Sequence, residues 1–101
     1  MSKATPGPWA IVARDAPRCT LMIESRHGLI AVMESSKTRP VTYEKAESNA
    51  LLIAAAPDLL HALEMVRDAD NDCVRDGLQT IPPIARKTID DAIAKATGES
   101  Q

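Results

Sequence analysis

The chain has no phenylalanine, one tryptophan and one tyrosine in 101 residues. An aromatic core is therefore excluded, and the lone Trp9 has a stacking platform for a base as the alternative to covering an aliphatic core. Cysteine is nearly absent too. Cys19 and Cys73 lie far apart, with no CxxC or Cys/His spacing for zinc, and a disulfide scaffold is not indicated. Four glycines, each isolated, leave no phosphate-cradling glycine loop. The longest apolar run, Ala50–Ala56, is far too short to span a membrane. The first residues carry one lysine and no apolar segment of the kind that directs secretion. These absences lead to the expectation of a cytoplasmic protein with reduced thiols, no membrane partner and no cofactor.

What remains is Leu, Ile, Val, Met and Ala. The apolar fraction is 45%, which is that of a globular chain. One small domain, 1–101, is the natural reading, with a β part at 1–43 and a helical part at 44–98. A core this small and poor in aromatics gains from association, so a homo-oligomer is expected. The net charge of −2 is unevenly spread. Residues 1–43 hold six bases against three acids, and the rest hold six against eleven. The basic half can attract anions. The acidic half argues against direct nucleic-acid binding over the whole surface.

Thr5-Pro6-Gly7-Pro8 excludes helix and leads into Trp9, expected to lid the core. Three strand-like segments follow, at Trp9–Ala13, Cys19–Ser25 and Leu29–Glu34. Short turn-forming connections join them, which predicts a three-stranded antiparallel meander. The scarcity of polar residues in Leu29–Met33 suggests a strand covered on both faces, with a second subunit on one of them. Thr42 is the expected N-cap of a helix over Tyr43–Ala55. Pro57 either kinks that helix or opens a second one, and the first position of a new helix suits it best. Gly77 is a fitting C-cap. Pro82-Pro83 opens a last helix over Pro83–Thr97, ended by Gly98. The fold class expected is α+β, a β-meander followed by two to three helices.

Catalytic signals are weak. Asp68, Asp70 and Asp72 open like a calcium loop, but Cys73 stands where that loop needs glycine and Gln79 where it needs glutamate. The cluster is expected to be a solvated helix end. His61, Glu64 and Asp68 form a polar stripe. No nucleophile–base pair can be placed, and no enzyme activity is expected. The more telling set is Arg14, Arg18, Arg26, His27 and Arg39, all in turns or loops of the β part. Guanidinium forks suit phosphate recognition, though loop arginines also serve solubility and protect sheet edges. In a meander, Arg14 and Arg18 lie at the opposite end from Arg26 and His27, so only neighbouring subunits can bring them together. Asn49, the one polar residue between Ser48 and Asp58, is expected to bond a backbone group of the sheet or a loop. A ligand role is its alternative.

Two stretches carry a resemblance. Thr5-Pro6-Gly7-Pro8-Trp9 and the run from Ser48 to Leu63 (SNALLIAAAPDLLHAL) resemble a group of small bacteriophage and prophage proteins. That group has a TPGPW start and a NAxLIAAAPxLLxAL helix, and Ead/Ea22-like phage proteins are similar. The pattern has arginine after Asn-Ala where this chain has Leu51, which makes the first helix more apolar and extends a subunit contact. The resemblance implies a phage accessory protein, and such proteins commonly inhibit host defence. The expected layout also resembles that of the oligomeric Thoeris anti-defence sponges, which sequester nucleotide signals. The leading expectation is a non-enzymatic homo-oligomer that captures a nucleotide-derived immune signal. The alternatives are an anti-CRISPR-like inhibitor binding a host defence protein through the acidic helices, and a structural or regulatory phage protein.

Overall fold

A computed structural model describes residues 3–13, 21–33 and 43–99. Three strands, β1 (Ala10–Ala13), β2 (Leu21–Ser25) and β3 (Gly28–Met33), precede three helices, α1 (Tyr43–Ala54), α2 (Ala56–Asp76) and α3 (Pro83–Thr97). The sheet is antiparallel in the order β1-β2-β3, so the chain is α+β, as its sequence predicts. It divides into two compact units. One is Thr5–Asp58, and the other is Met1–Ala4 with Leu59–Gln101.

In the first unit the period-2 alternation decides which face is buried. Leu21 and Ile23 point to the core, and their registered partners Ile11, Ala31 and Met33 share that face. The register shifts beside Ile23 and Glu24, which pair with Ala31 and Leu29, so Ile30 is the extra residue of a β-bulge. The bulge lets Ile30 and Ala31, though consecutive, both pack on the core.

Helix α1 covers β1 and β2. Ala46 and Ala50, one turn apart, bring its backbone close to Leu21 and Ile23, and Ile53 and Ala54 extend the contact. Trp9 packs on the edge of this cluster, and its indole N–H donates to the Thr5 carbonyl at 3.1 Å. That is the lid its position predicts. Gly7 is tight for a different reason. A Cβ built on it would lie 3.0 Å from Pro57 Cβ and 3.4 Å from Pro57 Cγ. The two motif stretches, far apart in sequence, therefore meet.

Among the described residues of this unit, the opposite sheet face is apolar and uncovered. Val12, Met22 and Val32 stand in one cross-strand row, with Val32 40% exposed and Leu29 55%.

Pro57 separates two helices. Helix α1 closes with the Ala55 N–H on the Leu51 carbonyl at 3.0 Å. Helix α2 begins at Ala56, which places Pro57 second, one position later than expected. A proline costs no hydrogen bond there, because first-turn N–H groups have no intrahelical acceptor.

In the second unit, α2 ends as Gly77 takes φ 71° and the Leu78 N–H reaches back to the Cys73 carbonyl at 2.8 Å. Helix α3 opens on Pro82-Pro83 without a side-chain cap and closes on Gly98, also left-handed at φ 76°. Both ends are those the prolines and glycines predict. The expected N-cap Thr42 lies outside the described residues. No single helix is long and apolar enough to cross a membrane.

Candidate functional site

The β2–β3 connection is a two-residue loop, Arg26-His27, between the paired residues Ser25 and Gly28. Ser25 shapes it. Its Oγ accepts the His27 backbone N–H at 2.9 Å and donates to the Gly28 carbonyl at 3.4 Å. Gly28 follows at φ 130°, a backbone that a side chain rarely adopts. Both Arg26 and His27 are exposed at the tip.

Arg26 differs from the other described arginines. Arg67 bonds Asp68 at 3.2 Å, Arg75 bonds Asp72 at 3.3 Å and Asp76 at 3.0 Å, and Arg86 bonds Asp70 at 2.7 Å and Asp90 at 3.0 Å. Among the described residues, no acid pairs with Arg26. Its guanidinium donors therefore have no acid acceptor among the described residues.

Asn49 departs from expectation. It is exposed on α1, and among the described residues no hydrogen bond ties it to the sheet. The helix packs through Ala46 and Ala50, and Asn49 is turned about 100° from Ala50. Arg14, Arg18, Arg39 and Cys19 lie outside the described residues, so the structure places only Arg26, His27 and Asn49 of the expected set. Arg26 and His27 are brought together by the turn.

The strongest polar constellation is one the sequence reading missed. Asp70 is 6% exposed, which corrects the expectation of a wholly solvated acidic end at Asp68–Asp76. Its Oδ1 accepts the Ile81 backbone N–H at 2.9 Å, and its Oδ2 accepts from Arg86 Nη1 at 2.7 Å. Arg86 Nε reaches Asp90 at 3.0 Å. The Ile81 N–H and the Arg86 guanidinium hold the Asp70 carboxyl below its ordinary pKa, against the opposing effect of burial. Arg86 is correspondingly pushed up by its bonds to Asp70 and Asp90. Every oxygen of Asp70 is engaged. The cluster thus closes the turn between α2 and α3. Among the described residues, no group of three or more His, Cys, Asp or Glu is disposed to hold a metal. Cys73 is a free, half-buried thiol.

A three-stranded antiparallel sheet braced by one helix and followed by two further helices defines an α+β protein. A family model described as Salmonella phage P22 protein Y8K6 matches residues 1–100, and the chain belongs to that family. No curated protein and no solved structure matches significantly.

Proposed function

We propose that this phage protein is a non-enzymatic anti-defence protein. It captures a nucleotide-derived immune signal as a homo-oligomer, with the hairpin tip on the phosphates. The observation that carries the reading is Arg26, exposed beside His27 and without an acid partner among the described residues. A planar guanidinium presents two parallel donors to a phosphate, and a rigid two-residue turn holds them in place at little entropic cost. Arg14, Arg18 and Arg39 are the further phosphate ligands, reached from neighbouring subunits, and Asn49 is a polar contact to the base or ribose. Membership of a phage protein family is compatible with the same reading.

The protein–protein inhibitor is less well supported. Covering a basic surface requires uncompensated acids. On α2 part of the acidic charge is already engaged, Asp68 by Arg67, and Asp72 and Asp76 by the single Arg75 they share.

Isothermal titration with cyclic dinucleotides and cyclic ADP-ribose isomers tests the proposal. The expected result is binding of one class with release of heat, weakened at least ~10-fold in Arg26→Ala, the loss of one charged hydrogen-bonding pair. Equal affinity of Arg26→Ala and the unaltered protein would refute the assignment of the tip.

A further inference from the structure

Helices α2 and α3 meet through Asp70 and Arg86. Beside that contact, each helix carries a second apolar stripe left open to solvent. On α2 the stripe is Leu59, Ala62, Val66 and Ala69, at steps of three and four, with Leu59 49% exposed and Val66 43%. On α3 it is Ala85, Ala92 and Ala96, all exposed. At 100° per residue, the first stripe lies about 20–100° round from Asp70, and the second about 80–120° round from Arg86 in the same rotational sense. In an antiparallel hairpin, the same sense on both helices puts both stripes on one side. No charged residue of α3 falls on that arc. On α2, Glu64, Arg67, Asp68 and Asp72 point elsewhere, and Asp58 and Asp76, about 120° round from Asp70, flank the stripe at its two ends.

We propose that this face is covered by a second copy of the chain, forming a two-fold four-helix bundle. Two properties select a copy over a foreign partner. The first is size complementarity. The α2 stripe carries the bulk, Leu59 and Val66, while the α3 stripe is alanine. A two-fold axis parallel to the helices sets each α2 on the partner's α3, large against small, in an isologous contact. The second is area. Helix α3 is 15 residues long, about 22 Å at 1.5 Å per residue, and two helices side by side are about 20 Å wide. That footprint is on the order of 400 Å², or roughly 700 Å² of accessible surface per partner, close to the ~800 Å² of a stable interface. Between Leu59 and Ala69 the stripe itself carries no charge, so two identical faces meet there without repulsion.

The interface rests on the reading that copies associate, not on what they carry. The test is sedimentation equilibrium of the full chain with three substitutions. Val66→Glu and Ala92→Glu each place a carboxylate in the face, one per helix, at exposed positions that tolerate charge in a monomer. Val32→Glu places one on the open sheet face. The expected result is a dimer or an even-numbered assembly for the unaltered chain and for Val32→Glu. Val66→Glu and Ala92→Glu should be monomers of unchanged helix content by circular dichroism. A monomeric unaltered chain, dissociation by Val32→Glu, or persistence of the dimer in both helix variants would overturn the proposal. Nucleotide titration of the Val66→Glu monomer separates the two readings. Lost assembly with lost binding fits both readings, lost assembly with retained binding refutes capture at subunit junctions alone, and intact assembly without any binding refutes capture alone.

Discussion

Replacing Gly7 by alanine probes the junction on which the first unit closes. The added methyl would sit 3.0 Å from Pro57 Cβ and 3.4 Å from Cγ. Both are atoms of a proline ring, which cannot swing aside as a long side chain can. Overpacking of this kind costs about 1–3 kcal/mol. An opposing term exists, since alanine restricts the unfolded chain and returns about 0.4–1 kcal/mol. The net expectation is destabilisation of roughly 0.5–2 kcal/mol. Urea unfolding followed by far-ultraviolet circular dichroism measures it. Pro57→Gly removes the obstructing ring, so the double variant should lose less than the sum of the two singles, with a coupling of about 1 kcal/mol. Gly7→Ala that is neutral or stabilising, or a cycle that is strictly additive, would show that the two motif stretches do not press on each other.

Other perturbations follow the same logic. Ile23→Ala removes three carbons from a side chain that is 0% exposed. It should cost about 3–4 kcal/mol in urea unfolding, whereas Val32→Ala on the open face should cost under ~1 kcal/mol. Trp9→Phe deletes the indole donor to Thr5 and should cost about 0.5–1.5 kcal/mol in the same assay. Asp70 has a folded pKa below its ordinary value. Its contribution is therefore present above the unfolded value of about 3.9 and is lost as pH falls through the folded one. Acid titration of helix content should show loss of stability below about pH 4, and Asp70→Asn should abolish that component. Gly98→Ala forces a side chain into φ 76° and should destabilise α3 by about 1–2 kcal/mol in thermal melts.

Punctuation residues made much of the fold legible. Pro82-Pro83 and Gly98 bracket α3, and alanines and isoleucines at three- and four-residue steps fill it. Alternation in Leu21–Ser25 and a two-residue turn gave the meander. Burial was harder to read. The long apolar run suggested that Asn49 sits against the sheet, yet Leu51, in the same run, is 57% exposed. Run length measures composition, and only the side of α1 bearing Ala46 and Ala50 meets the strands. Asp70 was hidden by its neighbours, because Asp68 and Asp72 at alternate positions look uniformly solvated. The signal was its phase. Asp70 falls seven residues after Leu63, on the inward side of α2, and a helix opened by two prolines leaves the preceding N–H of Ile81 in need of an acceptor. Of the arginine set, the sequence placed Arg26 and His27 correctly on a turn. That Arg26 has no acid partner among the described residues depends on where the acids of distant segments fall.

The central claim is that the hairpin tip of an assembled phage protein holds a nucleotide-derived signal. Native mass spectrometry tests it most directly. The purified protein is exposed to lysate from bacteria with activated defence systems, alongside Arg26→Ala treated identically. The expected result is a multimer carrying the added mass of a nucleotide per site, absent or sharply reduced in Arg26→Ala. A bare chain with no added mass, or the same cargo on both proteins, would contradict it.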